Sequence, residues 1–261
     1  MLVKSQVKYI QSLGQKKFRD QEGVFVVEGP KMVRELLEAA NLRPRFVYAT
    51  DTSFLSPSAG IPGPSSGHLP ASSGAREIPL TEIPASDLEK ISFLSTPNQV
   101  LAVFERPRFP APDFDHDLSL VLDGIQDPGN LGTIIRIADW FGIRQVVCSP
   151  DCADVYGPKT VQSTMGSISR VQTHYGDPLT LLAQHPDLPV YAAVLNGAPL
   201  YGMERISKGW IVIGNESKGI REPLLKKADH PVTIPGNGGA ESLNAAVATG
   251  ILLSHLVAIR H

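Results

Sequence analysis

Three short stretches in the second half of the chain hold the residue types from which chemistry can be built. The first is Asp123-Gly124-Ile125-Gln126-Asp127-Pro128-Gly129-Asn130-Leu131-Gly132-Thr133-Ile134-Ile135-Arg136, and the second is Gly214-Asn215-Glu216-Ser217-Lys218-Gly219. The third runs from Pro235 through Ser242 and Leu243 to Asn244. Asn130, Arg136, Glu216, Ser242 and Asn244 bring amide, guanidinium, carboxylate and hydroxyl groups, a set able to orient a hydroxyl and to meet an anion. The interspersed glycines let backbone come close to a ligand. Taken singly, none of the three identifies a reaction. Arg136 is equally a solvated helix residue, the second stretch equally a charged turn, and Ser242 and Asn244 equally caps of the helix that follows.

Several chemistries are excluded. The chain has neither G-x-G-x-x-G after a strand nor G-x-x-x-x-G-K-[ST], so the dinucleotide and Walker phosphate loops are missing. It also lacks G-x-S-x-G, and no His is near Ser217 or Ser242 to serve as a base. Two cysteines, Cys148 and Cys152, are too few for a disulfide framework or a four-cysteine zinc site, and no metal site is expected.

The elements that must position these loops follow from apolar patterning. Leu118 to Leu122, Gln145 to Cys148, Val190 to Val194, Trp210 to Ile213 and Val232 to Ile234 are short β-branched runs separated by helical patterns. They fit strands buried on both faces of a mainly parallel sheet, and ligands in such folds bind beyond the carboxyl ends of the strands. After Asn130, expected as an N-cap, Leu131, Ile134, Ile135, Ala138 and Phe141 trace a buried helical stripe that Gly142 terminates, with Arg136 off it. A helix from Ala245 to Leu256 is apolar almost all round and is expected to be deeply buried, with Gly250 permitting close packing.

In the first half, Val3, Val7, Ile10 and Leu13 share one helical face, leaving Lys4, Lys8, Lys16, Lys17 and Arg19 outside it as candidate contacts to a polyanion. Val24 to Glu28, Arg45 to Ala49 and Val100 to Phe104 read as strands, and Pro84 to Ile91 as a short helix. Residues 1–105 therefore form a small α/β unit, interrupted by a Ser-, Gly- and Pro-rich insertion at Ser53 to Ala75 whose composition predicts flexibility. Residues 106–117 read as an extended linker and 118–261 as a second domain.

With 261 residues, 42% hydrophobic and 19% charged, the chain can bury a core without staples. Its net charge of −2 taken alone disfavours a polyanion partner, but the charge is uneven. Residues 1–50 carry nine bases and five acids, 51–117 four and nine, and 118–261 eleven and twelve. No apolar run reaches the roughly 18 residues of a membrane span, since Ile251 to Ile259 is broken by Ser254 and His255. No signal-peptide core is seen, and a soluble, cytoplasmic protein is expected.

Taken jointly and in order, Asn130-Leu131-Gly132-Thr133-Ile134-Ile135-Arg136-Ile137-Ala138 with Phe141-Gly142, then Ile213 to Gly219, then Ile234-Pro235 and Ser242-Leu243-Asn244 resemble the three motifs of the SpoU (TrmH) RNA ribose methyltransferases. Lys16-Lys17-Phe18-Arg19, Phe25 to Gly29 and Thr96 to Ala102 resemble the substrate-binding domain of the same family. Mild departures occur at Ser217-Lys218 and Ala245-Ala246, neither of which removes a group the chemistry needs. The resemblance implies a SPOUT-type α/β fold with a C-terminal deep trefoil knot, a homodimer built on the knotted domain, S-adenosylmethionine as methyl donor and RNA as partner. By the same resemblance Gly214, Ile234 and Leu243 are donor contacts, with Leu195 and Asn196 in the loop after the preceding strand as weaker ones. Arg136 matches the catalytic arginine, to which a base role has been assigned. A guanidinium pKa above about 12 favours instead binding of phosphate and of developing alkoxide. Asn130 and Glu216 are expected to hold Arg136, and Ser242 and Asn244 to position the ribose. Large-subunit rRNA is the expected substrate. Alternatives are a tRNA, a small hydroxylated molecule, and a non-catalytic RNA-binding role that keeps the fold.

Overall fold

The computed structural model describes residues 1–55 and 80–258 and divides into two compact units, 1–108 and 109–261. Most of the Ser53 to Ala75 insertion therefore lies outside the described residues. In the first unit the elements are α1 (Lys4–Ser12), α2 (Lys16–Glu22), β1 (Val24–Glu28), α3 (Pro30–Glu38), β2 (Pro44–Ala49), β3 (Leu80–Glu82), α4 (Ala85–Ile91) and β4 (Val100–Glu105). The sheet order is β1-β4-β2-β3, with β4 antiparallel to both β1 and β2, and β3 parallel to β2. Ile10 and Leu13, with Leu88 and Ile91 of α4, cover Val24, Val26, Tyr48, Leu101 and Val103 on one face. Phe25 and Phe104 stack with centroids 6.0 Å apart within the same buried sheet.

The basic N-terminal segment is two helices rather than one. The stripe predicted from Val3 to Leu13 breaks at Gly14, where an added Cβ would lie 2.8 Å from Phe93 Cε1, so close packing of that ring requires glycine there. Val3 itself is exposed and precedes the helix. The break also overturns one expectation for RNA contact. Arg19 is only 3% exposed and its Nη1 donates to Leu13 O at 2.6 Å, so it holds the turn between α1 and α2 instead of facing solvent. Lys4, Lys8, Lys16 and Lys17 are exposed.

The second unit contains β5 (Leu118–Asp123), α5 (Pro128–Trp140), β6 (Gln145–Cys148), α6 (Pro158–Thr164), β7 (Gln172–Tyr175), α7 (Pro178–Gln184), β8 (Val190–Pro199), β9 (Gly209–Gly214), α8 (Glu222–Leu225), β10 (His230–Thr233) and α9 (Ala245–Leu256). Its six strands are all parallel, in the order β10-β8-β9-β5-β6-β7. The near-continuous apolar runs of β5 and β9 are what burial on both faces demands.

Three expectations are corrected here. Residues 109–117 are not a free connector: Phe114 is buried, its ring 5.0 Å from that of Trp210, and Gln145 Nε2 donates to Asp113 O at 2.5 Å. Helix α5 starts earlier than predicted, because Pro128 suits the first helical position and the Asp127 carboxylate caps it by accepting from Asn130 N at 2.8 Å. Gly142 does follow its end in the left-handed region, at φ 74°. Helix α9 is buried through Ala245, Ala246, Thr249, Leu252, Leu253 and Leu256, yet Val247 is 51% exposed, so one apolar face is uncovered in the single chain. No helix among the described residues is long and apolar enough to cross a membrane.

Candidate active site

The sheet of the second unit reverses its winding at β5. From there the chain builds outward to β6 and β7, then crosses to the other side for β8, β9 and β10. At such a switch point the loops leaving adjacent strands diverge and open a crevice. Asp123 and Gly214 end β5 and β9 and are register partners. Asp123 is 1% exposed and anchors the crevice floor: it accepts from Arg221 N at 2.7 Å and from Arg221 Nε at 2.6 Å. The carboxylate lies 2.6 Å from Arg221 Nη2 as well, and this bond is what raises the guanidinium pKa. The loop after β9 is thereby tied to the end of β5.

Asn215 shapes that loop. Its N–H donates to Gly219 O and its carbonyl accepts from Gly219 N, while Oδ1 accepts from Ser217 N and Lys218 N at 2.9 and 3.0 Å. Its Nδ2 donates to Gly124 O at 2.6 Å, reaching the loop after β5. A Cβ on Gly214 would sit 2.3 Å from the carbonyl carbon of Gly219, so the loop folds back where only glycine fits. The turn directs Glu216 toward α5. Glu216 Oε1 accepts from Asn130 Nδ2 at 2.8 Å, and Asn130 Oδ1 accepts in turn from Asn244 Nδ2 at 2.9 Å. Asn244 Oδ1 caps α9 by accepting from Ala246 N and Val247 N at 2.9 and 3.3 Å. The two amides are oriented by their partners: backbone donors fix Asn244 Oδ1, which leaves its nitrogen for Asn130, whose own nitrogen then faces the carboxylate. One hydrogen-bonded chain thus joins all three predicted loops.

Asp127 supports this chain from below. Its bond to Asn130 N, then its pairing with Lys159 Nζ at 3.1 Å, hold its carboxyl below the usual range. Beside it, Gly124 N donates to Ser149 Oγ at 2.8 Å, and Ser149 Oγ to Asp151 Oδ1 at 2.6 Å. The neighbouring thiols are split: hydrogen bonding from Cys148, then Ser149 and backbone N–H groups, lowers Cys152 to about 7, whereas the bond to Cys152 and burial push Cys148 up. Among the described residues no cluster of His, Cys, Asp or Glu is arranged to hold a metal ion.

Not every predicted residue joins the network. Arg136 is exposed and makes no hydrogen bond or ion pair among the described residues, so Asn130 and Glu216 do not hold it. It lies six residues beyond Asn130, a rise of about 9 Å along α5 and about a third of a turn away. Ser242 is exposed and bonds to nothing among the described residues. Sequence reasoning missed Asn215, Asp123 and Arg221 as organisers. An Asx-turn signal, Asn two residues before Ser217 and three before Lys218, was available for the first; nothing marked the pairing across 98 positions of the other two.

Leu195 and Asn196 belong to β8 rather than to a loop, at the break where pairing with β10 jumps from Ala192↔Pro231 to Ala198↔Val232. Thr233 Oγ1 donates to Leu195 O at 2.9 Å, which brings the residue before Ile234 against Leu195. Leu195 is 69% and Leu243 47% exposed. From Pro235 to Leu243 the backbone enters no backbone hydrogen bond among the described residues, leaving N–H and C=O groups to be met from outside. Apolar side chains beside unmatched backbone donors and acceptors suit a flat heteroaromatic ring that must be both stacked and hydrogen-bonded.

Comparison with known proteins agrees with this geometry. Residues 117–254 match the profile described as the SpoU rRNA Methylase family, and residues 4–102 that of an MRM3-like substrate binding domain. The chain is 32% identical to the 23S rRNA (guanosine(2553)-2′-O)-methyltransferase RlmP of Bacillus subtilis, covering 96% of this chain and 95% of that one. Among solved structures, an AdoMet-bound rRNA methyltransferase from Sinorhizobium meliloti superposes with a TM-score of 0.81 at 27% identity, over 98% and 95% of the two chains. A protein assigned to the TrmH family from Porphyromonas gingivalis gives 0.81 at 38% identity, over 98% of each.

Proposed function

The chain belongs to the SpoU rRNA methylase family, and from that premise we propose that it transfers a methyl group from S-adenosylmethionine to a ribose 2′-hydroxyl of large-subunit ribosomal RNA. The observation that carries this reading is the chain Glu216–Asn130–Asn244, which locks three loops at the carboxyl ends of the sheet into one arrangement. The match of residues 4–102 to a substrate-binding domain favours rRNA over tRNA.

When bound, S-adenosylmethionine supplies an electrophilic methyl group on a sulfonium. The residues that would hold it are Leu195, Asn196, Gly214, Ile234 and Leu243, through apolar contact and backbone groups. The ribose hydroxyl is a poor nucleophile, and holding it in line is worth several kcal/mol. Asn130, Glu216 and Asn244 give that alignment its rigidity, with Ser242 at the rim as a further ribose contact. Arg136, unpaired and exposed, is ready to take the adjacent phosphate in a bidentate fork and to stabilise charge growing on the 2′ oxygen. Lys4, Lys8, Lys16 and Lys17 supply sequence-independent contacts to RNA phosphate.

Two further features belong to the same reading. A homodimer would cover apolar side chains left open in the single chain, Trp140 at 84% and Val247 at 51% exposure. The trefoil knot belongs to this reading through the family, and β8 passes β10 closely at Gly197, where a Cβ would lie 2.6 Å from the carbonyl of Pro231. The function is tested by incubating the protein with methyl-labelled S-adenosylmethionine and total unmodified RNA, then mapping 2′-O-methyl positions. Label in large-subunit rRNA is expected. Label only in tRNA, or in no RNA, would overturn the assignment.

A further inference from the structure

A small cavity belongs to the first unit, whereas the network just described belongs to the second. It measures about 150 Å³ and is lined by Ala40, Asn41, Arg43, Glu105, Arg106 and Arg108. The topology explains why three arginines meet there. Strands β2 and β4 are antiparallel, with Pro44 opposite Phe104, so the residue entering one strand stands beside those leaving the other. Glu105 N donates to Arg43 O at 2.9 Å and Arg108 N to Asn41 O at 3.4 Å, while Arg106 N donates to Gly23 O at 2.9 Å. Pro107 keeps Arg106 extended and sets its guanidinium apart from that of Arg108.

The three charges are not equivalent. Arg106 is engaged by Asp20 in an ion pair and serves as a wall of the cavity. Arg43 and Arg108 are exposed, and neither side chain has a hydrogen bond or ion pair among the described residues. Glu105, the one acid of the lining, pairs with neither of them. Like charges gathered within a Debye length repel, and an anion received between them relieves that repulsion. Guanidiniums match the paired oxygens of a phosphate better than ammonium groups do, and the cavity has room for one such group with attendant water.

We infer that Arg43 and Arg108, backed by Arg106, form a phosphate-binding site on the first unit that grips the backbone of the RNA substrate. The identity of the ligand rests on the reading of the chain as an RNA methyltransferase; the anion chemistry does not. The test uses the full chain and a transcript of large-subunit rRNA, with affinity measured across a salt series. The double variant Arg43→Gln/Arg108→Gln should make the slope of log affinity against log salt shallower by about 1.4 to 1.8, and lower affinity about ten- to thirtyfold near physiological salt. Arg43→Lys/Arg108→Lys, which keeps both charges, should retain most of the slope. An unchanged denaturation midpoint for both variants shows that they fold.

An unchanged slope and affinity in the Gln variant would overturn the inference, as would equal loss in the Lys variant. A parallel titration with inorganic phosphate separates the sources. Tight phosphate binding by the wild-type protein, combined with unaltered RNA affinity in the Gln variant, would assign the cavity to a free phosphate and refute an RNA contact. If the wild-type protein methylated no rRNA while the Gln variant still lost RNA affinity, the functional assignment would fall and the site would stand.

Discussion

Asn244 has two tasks that one substitution can pull apart. Its Oδ1 caps α9 and its Nδ2 donates to Asn130, which in turn holds Glu216. Asn244→Ala removes both and should cost about 1 kcal/mol of stability, the usual worth of an N-cap. Asn244→Asp keeps an oxygen for the two backbone N–H groups and adds a negative charge at the start of a helix, which offers about 0.3–1 kcal/mol in return. It cannot donate to Asn130. The Asn130 amide would then stand between two carboxylates, with its nitrogen on Glu216 and its oxygen on the new one, and whichever way the amide turns one oxygen meets another. Leaving such a group unmatched costs about 1–3 kcal/mol, towards the lower end where water has access. Charged to the alignment of the reacting ribose, that is a rate loss of about fivefold to a hundredfold. Urea unfolding and methyl transfer at saturating donor should therefore disagree for Asn244→Asp, with stability kept and turnover reduced. If Asn244→Asp kept turnover within about twofold while Asn244→Ala lost activity only in step with its stability, the residue would be a cap and nothing more.

Two other outcomes follow from packing and from ionisation. Gly250 in α9 has space for a side chain, since a Cβ there meets only Ile137 Cδ1 at 3.7 Å, so Gly250→Ala should stabilise the protein by about 0.5–1 kcal/mol; Gly214→Ala, 2.3 Å from backbone, should lose activity and about 1–3 kcal/mol. Denaturant midpoints check both, and a destabilising Gly250→Ala would mean that something other than Ile137 occupies that face. His174 has its pKa lowered by burial alone. Below its unfolded value of about 6.5 the unfolded chain takes up a proton that the folded one resists, so the contribution of His174 to stability should fall as pH drops from 7.5 to 5.5. His174→Phe should flatten that slope relative to the wild type, the opposing contribution of His116 being common to both; equal slopes would show that His174 does not resist protonation.

The strands of both sheets were legible where apolar residues ran unbroken. Val24–Glu28 and Gln145–Cys148 match their sequence patterns at both ends, because Val24 to Val27 and Val146 to Cys148 are buried and run unbroken, with one polar residue at a single end of each strand. β7 was not legible: Gln172-Thr173-His174-Tyr175 is an edge strand with one partner, free to carry polar groups, and its pattern resembles a loop. β3 is only three residues long and falls below any periodic signal. The three site loops were marked by glycines and polar residue types, but the bonds among them were not, since Asn130, Glu216 and Asn244 are separated by 86 and 114 positions and meet only through the strand order. Arg19 shows the converse failure. Its spacing places it among exposed lysines, and only the break at Gly14 turns it inward, where a local basic pattern carries no information.

The net charge of −2 weighs against RNA binding only if charge acts as a single sum at a distance. At physiological ionic strength the Debye length is about 8 Å, so a phosphate responds to the side chains beside it and not to the far side of the chain. Many acids of this protein are committed locally: Asp123 to Arg221, Asp127 to Lys159, Asp139 to Arg170, Asp20 to Arg106 and Glu22 to Arg45 form ion pairs that act as short-range dipoles. Arg43, Arg108 and Arg136 have no such partner among the described residues. These three cations lie where phosphate contact is proposed, at the ends of β2 and β4 and on the exposed side of α5. Binding should accordingly follow local charge: neutralising Arg43 and Arg108 alters the salt slope, whereas a formal count for the whole chain barely changes.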